Sequence, residues 1–208
     1  MNNIILPNGR PSVREEAGRH GTERMVAKPI LVCDLDGTLR YNKDDPDGFI
    51  NEPEEIAFFD GVLDAVWAYR DNGWLPVVVS NQGGVAHGYM GKKDLDRQMN
   101  RMAELARQET DHNRGWPFLD TRFCMYHEKG DDEMYGYRSL HRKPMYGALG
   151  SIEQRAKVNG IIPKWDQSVV IGDRPEDEAM AQAAGLDYWP AEEWRAELKA
   201  QRGGGSDE

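Results

Sequence analysis

Cysteine is nearly absent from this chain: two in 208 residues, Cys33 and Cys124. Two isolated thiols cannot build a disulfide framework. Cys33 lies inside an apolar run and reads as a small buried hydrophobe. No apolar run approaches membrane-spanning length, and the polar N-terminus lacks the apolar core of a signal peptide, so the cytoplasm is the expected location. Positive charge is in deficit, with 26 Lys and Arg against 36 Asp and Glu and a net charge of -10. That balance disfavours broad adhesion to nucleic acid or anionic membrane, which needs clustered cations, although a local basic patch is compatible with it. No internal repeat is visible.

What is present suits one well-filled core, with 39% hydrophobic and 30% charged residues. Residues 1–28 are polar and without sustained period, and read as an extended or loosely attached arm. Residues 29–200 hold the alternating pattern of a single domain, and 201–208, rich in glycine, read as a flexible tail. Ile30–Cys33 is an apolar run too short for a helix, and so a buried strand. A charged loop over 40–59 contains Pro46, Gly48 and Pro53. Asp60 is expected to cap a helix with Leu63, Val66 and Trp67 on its apolar face, ended by Gly73. A β-branched strand follows over 74–79, then a helix over 92–109, a strand over 121–126 and a helix over 145–158. A strand over 168–173, a short helix through Met180 and Ala184, and an edge strand near 186–189 complete the pattern. Strands alternating with helices imply an α/β fold, a doubly wound and mainly parallel sheet.

Three of these strands end in residues capable of chemistry: Asp34, Ser80 and Asp173. Parallel strands place their carboxyl ends on one edge, where ligands bind in open α/β sheets. Asp34 and Asp36, one residue apart, repel each other and call for a cation or a shifted pKa. Mg²⁺ answers that need. Four stretches occur in order: Asp34-x-Asp36-Gly37-Thr38, Ser80-Asn81-Gln82, Arg142-Lys143-Pro144 and Gly172-Asp173-Arg174-x-x-Asp177. Taken singly each has a bland reading. Asp-Gly and Ser-Asn mark turns, Lys143 is a surface lysine, and Asp173 and Asp177 are a helix cap and a first-turn acid. Together they meet the needs of phosphoryl transfer: a carboxylate nucleophile, a metal held by carboxylates, fixed donors to the phosphoryl oxygens and a proton for the leaving group.

On these four motifs, over residues 30 to 190, the chain resembles the haloacid-dehalogenase-like (HAD) hydrolase superfamily. The resemblance implies Asp34 as nucleophile and Mg²⁺ ligand, and Asp36 as general acid and base with its backbone carbonyl on the metal. It implies phosphate binding by Ser80, Asn81 and Lys143, with Asp173 completing the metal site and Asp177 assisting. The second Asp favours phosphomonoester hydrolysis over dehalogenation. Residues 40–59 and 127–142 are too short for a full cap domain, so the site is expected to be open.

Two substrate classes stay open. Residues 80–88 and Arg142-Lys143-Pro144 resemble the histidinol-phosphate and heptose-bisphosphate phosphatases, which imply a small phosphorylated metabolite. Those usually carry a zinc loop; here Cys124, His127 and His141 fall nearby, an incomplete set. The same stretches and residues 184–194 resemble the 3′-phosphatase part of polynucleotide kinase-phosphatases, which implies a nucleic-acid 3′ end. No G-x-x-x-x-G-K-[ST] loop accompanies it. Lys93, Arg97 and Arg101 make a basic stripe on a predicted helix, a candidate substrate contact together with Arg142, but one diluted by Asp94, Asp96 and Glu104. Outside catalysis, the same fold would serve as a regulatory module that binds Mg²⁺ or phosphate without turnover.

Overall fold

The computed structural model describes residues 17–18, 25–46, 48–110 and 113–203. In chain order the elements are β1 (Ala17–Gly18), β2 (Met25–Lys28), β3 (Ile30–Cys33), β4 (Arg40–Asn42), β5 (Ile56–Phe58), α1 (Val62–Asp71) and β6 (Leu75–Asn81). They continue with α2 (Lys92–Glu109), β7 (Asp120–Cys124), α3 (Gly147–Val158), β8 (Ile161–Pro163), β9 (Val169–Gly172), α4 (Pro175–Ala184), β10 (Asp187–Pro190) and α5 (Ala191–Gly203).

Five parallel strands form the central sheet in the order β10-β9-β3-β6-β7. Side chains alternate across it, as a period of two requires. Leu31, Cys33, Val78, Val169 and Ile171 enter one core, against Val62, Leu63, Val66 and Tyr69 of α1, Met102 of α2 and Trp194 of α5. Ile30, Val32, Val77, Val79 and Val170 enter the other, against Leu149 and Ile152 of α3 and Met180 of α4. Every residue of β3 is fully buried because both faces of the strand are covered. The fold is therefore α/β, a five-stranded parallel sheet flanked by helices, with no large cap among the described residues.

Several boundaries differ from the sequence reading. The loop over 40–59 is a small antiparallel hairpin, β4 with β5, closed by a single 3₁₀ turn over Pro53–Glu55. Its alternation is too short to stand out, and Asn42 organises it by donating from Nδ2 to the Phe49 carbonyl at 2.9 Å. Asp60 does not cap α1. The cap residue is Gly61, at a φ of 73° that glycine adopts without strain, and Asp60 instead pairs with Arg202 of α5 at 2.9 Å. Trp67 sits at the flank of α1 rather than in its core, with Nε1 donating to the Gly115 carbonyl and the Arg114 guanidinium over its ring. Tyr69 takes the core place. Helix α5 and strand β8 went unread in the sequence. Of the N-terminal arm, Met25–Lys28 pairs in parallel with β8. Much of the rest of the arm, and the tail beyond Gly203, lie outside the described residues.

Candidate active site

The carboxyl ends of β3, β6 and β9 meet on one edge of the sheet. Asp34 follows β3 directly, its N–H donating to the Ile171 carbonyl of β9 at 2.9 Å, so the strand pairing itself fixes the residue. Asp173 follows β9. The chain then turns through Asp36, Gly37 and Thr38, and that turn closes on itself through Gly37 N–H to the Arg40 carbonyl at 2.8 Å. Gly37 has a φ of 81°, and a Cβ placed there would lie 2.2 Å from Asp173 Oδ2. Glycine is required twice over, by the backbone and by the carboxylate packed on it. Thr38, fully buried, donates from Oγ1 to Asp173 Oδ1 at 3.2 Å.

Lys143 reaches this edge from the loop before α3 and is 4% exposed. Its ammonium group contacts Asp34 Oδ1, lies 2.5 Å from Asp177 Oδ1, and donates to the Val79 carbonyl at 2.9 Å. Asn81 locks that loop to β6 by a reciprocal pair: Lys143 N–H donates to Asn81 Oδ1 at 3.0 Å and Asn81 Nδ2 donates to the Lys143 carbonyl at 3.1 Å. Asn81 thus positions the lysine backbone. Asp177, 1% exposed, also closes the start of α4, its Oδ2 accepting from the Arg174 N–H at 3.1 Å.

Oxygen atoms of Asp34, Asp173 and Asp177 all lie within 4.8 Å of one another. Such a set of hard oxygen donors suits a divalent cation of the Mg²⁺ class. Electrostatics point the same way. Burial pushes the Asp34 carboxyl up to about 7; Lys143 opposes the shift and the Asp177 and Asp36 charges add to it. Asp173 is raised by burial and then by Asp177. Raised carboxylates facing each other are what a cation would relieve. The Lys143 amine is raised by Asp34 and Asp177 against the opposing effect of its burial.

Ser80, at the end of β6, is buried, and its Oγ accepts from Gln82 Nε2 at 2.9 Å. Its hydroxyl hydrogen is therefore available to a ligand oxygen. Asp36 is held at both oxygens, from Arg40 Nε at 2.7 Å and from Gln82 Nε2 at 2.6 Å. The motif reading passed over Arg40 and quoted Gln82 without giving it a role. The pattern offered one signal for Arg40, a cation four residues after an acid. Arg195 of α5, also passed over, donates from Nη1 to the Gly37 carbonyl at 2.6 Å and steadies the turn from below.

A cleft of about 970 Å³ opens over these groups, lined by Asp34, Asp36, Ser80, Asn81, Lys143 and Asp173 and, farther out, by Phe49, His87, Tyr89, His127, Arg142 and Arg174. Arg142 faces it while donating to the Tyr126 carbonyl at 3.3 Å. Lys93 and Arg97 are not among its lining residues. They lie on the solvent face of α2, where Arg97 pairs with Asp94 at 2.8 Å and Glu52 at 3.5 Å, and Arg101 with Glu104 at 3.5 Å. Among the described residues, Cys124, His127 and His141 do not form a ligand group of three. Cys124 is buried at the end of β7, and His127 Nδ1 accepts from the Lys129 N–H at 3.1 Å.

A family profile, polynucleotide kinase 3 phosphatase, matches residues 29–192. The chain belongs to that family. Relatives include the D-glycero-beta-D-manno-heptose-1,7-bisphosphate 7-phosphatases of Haemophilus ducreyi, 29% identical over 77% of this chain and 81% of that protein, and of Haemophilus influenzae, 31% identical over 71% and 72%. A candidate HAD-like phosphatase from Mesorhizobium loti superposes with a TM-score of 0.64 at 29% identity, covering 86% of this chain and 79% of that one. The D,D-heptose 1,7-bisphosphate phosphatase of B. bronchiseptica, solved with magnesium and phosphate, gives 0.61 at 24% identity over 78% and 79%, a likeness of fold. This polynucleotide kinase 3 phosphatase family member is a HAD-type phosphomonoesterase. Among its described residues no helix is long and apolar enough to cross a membrane.

Proposed function

We propose that the enzyme hydrolyses phosphate monoesters of small ring compounds, sugar phosphates foremost, through a phosphoaspartate on Asp34. The observation that carries the reading is the buried Asp34 carboxylate on the cleft floor, in contact with Lys143 and beside Ser80 and Asp36. Asp34, Asp173 and, behind them, Asp177 would hold Mg²⁺, with the Asp36 carbonyl. When bound, the ion neutralises phosphoryl charge and favours the ionised form of Asp34.

In the first step an Asp34 oxygen bonds to phosphorus as the bond to the ester oxygen breaks, and Asp36 gives its proton to that departing oxygen. In the second, Asp36 takes a proton from water, whose oxygen bonds to phosphorus as the Asp34–phosphorus bond breaks. Inorganic phosphate and free Asp34 result. Ser80 and Lys143 supply donors to the phosphoryl oxygens throughout.

Three features support a small substrate. The cleft has the volume of a metabolite site. Phe49 and Tyr89, 78% and 72% exposed, stand at its mouth where a sugar ring could lie against them, and Arg142 and Arg174 offer a second anionic group a partner. The heptose-bisphosphate specificity of the relatives agrees with this. The second reading, a polynucleotide 3′-phosphate, is favoured by the family profile; the paired state of Arg97 and Arg101 and the net charge of -10 weigh against it.

A panel under Mg²⁺ decides: heptose and other sugar bisphosphates, histidinol phosphate and a 3′-phosphorylated oligonucleotide. Sugar phosphates are expected to show the highest kcat/KM. A preference for the oligonucleotide of about tenfold or more, a difference of 1.4 kcal/mol in transition-state binding, would move the assignment to the second reading. Binding without turnover of any ester would leave a regulatory module.

A further inference from the structure

Asp36 projects into the cleft with its side chain 37% exposed, yet neither of its oxygens is free to wander. Arg40 Nε donates to Oδ1 at 2.7 Å and Gln82 Nε2 to Oδ2 at 2.6 Å. Both donors are buried: Arg40 is 1% exposed and Gln82 is 7% exposed. Arg40 also directs Nη1 at Met102 Sδ of α2, 3.4 Å away. A guanidinium buried this deeply is expensive unless a carboxylate answers it, and an apolar side chain of similar volume would fill the same space at less cost. Stability alone therefore does not account for it. Gln82 in turn donates to Ser80 Oγ at 2.9 Å, so one continuous chain runs Arg40–Asp36–Gln82–Ser80 across the cleft floor.

Each carboxylate oxygen has more than one acceptor site, so Asp36 held in this way keeps capacity for a leaving-group oxygen or a water. We infer that Arg40 and Gln82 are positioning residues that aim the Asp36 carboxylate at the leaving-group oxygen, tying its placement to that of the Ser80 hydroxyl. The inference rests on the reading of Asp36 as acid and base in the proposed hydrolysis. It concerns the proton transfer that accompanies cleavage of the ester P–O bond: the proton moves from Asp36 to the departing oxygen while Asp34 takes the phosphorus.

Leaving-group dependence separates aiming from mere support. A nitrophenolate departs as a stable anion and has little need of a proton, whereas an alkoxide depends on one. The experiment measures kcat/KM, which reports the first chemical step, for an alkyl phosphate and for p-nitrophenyl phosphate under Mg²⁺. The variants are Arg40→Met, Gln82→Met, Asp36→Asn and the double variant Arg40→Met/Asp36→Asn. A placed acid contributes about 10²–10⁴-fold, and losing its aim forfeits part of that. The loss on the alkyl ester should exceed that on p-nitrophenyl phosphate by about tenfold or more in both single positioning variants. Arg40→Met should add little once Asp36 is already Asn. Equal losses on the two esters, or full additivity in the double variant, would overturn the assignment. If Arg40→Met fails to fold, judged by circular dichroism, Gln82→Met decides alone. A wild-type enzyme inactive on both esters overturns the hydrolase reading and this one with it; an active wild type with equal losses overturns only the positioning roles.

Discussion

Replacing Lys143 with Met tests the charge arrangement of the site most directly, because the substitution keeps the volume and removes the cation. The ammonium group faces two carboxylates, Asp34 and Asp177, that are 5% and 1% exposed. Removing one partner of a buried ion pair costs about 3–5 kcal/mol, since the remaining charge is stranded away from water. At about 2–4 °C per kcal/mol for a chain of this size, the metal-free variant should melt roughly 6–20 °C below wild type. The loss should also depend on pH. Burial already places the Asp34 pKa at about 7, and without Lys143 it rises further. A carboxyl whose folded pKa lies above its unfolded value binds more protons when folded, so its contribution to stability falls as pH rises between the two. The deficit should therefore be larger at pH 8 than at pH 5.5, where a proton takes the place of the missing cation. Adding Asp177→Asn removes one of the two stranded charges and should restore a large part of the lost stability. Thermal and urea unfolding with EDTA present measure all four proteins: wild type, the two singles and the double. A deficit below about 1 kcal/mol at pH 8, with no recovery in the double, would refute the claim that Lys143 neutralises this pair.

Three further outcomes follow from the same geometry. Asp34→Asn should abolish turnover of every ester while circular dichroism shows an unchanged fold; substantial residual activity would remove the nucleophile assignment. Because Asp34 must shed its proton to ligate a cation, the rise in Tm on adding Mg²⁺ should be larger at pH 7.5 than at pH 5.5; a pH-independent rise would place the ion elsewhere. Gly37→Ala should weaken that Mg²⁺ response, because its Cβ would lie 2.2 Å from Asp173 Oδ2. Gly73→Ala is the control: its φ of 90° imposes a similar backbone penalty of about 1 kcal/mol, but it has no neighbour within 4 Å, so its Mg²⁺ response should be intact.

The central sheet was legible because its three inner strands, β9, β3 and β6, are apolar runs rich in β-branched residues that lead into polar ones, and α2 because eighteen residues hold one amphipathic period. What the sequence hid shares a physical cause. The pairings of β4 with β5 and of β2 with β8 span three residues each, too few to show a period, and are stabilised by partners distant in the chain. Helix α5 begins at Ala191 directly after β10 ends at Pro190, with no loop to announce it. Three of the four site motifs were visible as residue types at strand ends, which the sheet brings to one edge, and the fourth, around Lys143, reaches that edge from the loop before α3. The supports were not visible in the same way. Arg40 and Arg195 look like ordinary surface arginines until the structure shows one buried on Asp36 and the other donating to the Gly37 carbonyl. A periodic pattern reports which face of an element is apolar; it carries no information about a polar side chain that turns inward to meet a partner from another element.

That difference separates the basic stripe on α2 from the buried lysine. Lys93, Arg97 and Arg101 share a helical face, and spacing alone makes them a candidate surface for an anion. Their charge is answered locally, Arg97 by Asp94 and Glu52 and Arg101 by Glu104, in pairs open to solvent screening. Lys143 is one cation against two buried acids, and the resulting excess of negative charge sits where the strands end and where solvent can enter from the cleft. Salt and water dissipate the first arrangement within a Debye length of about 10 Å. Burial preserves the second, and a divalent cation carrying a phosphate ester, as proposed here, would relieve such an excess.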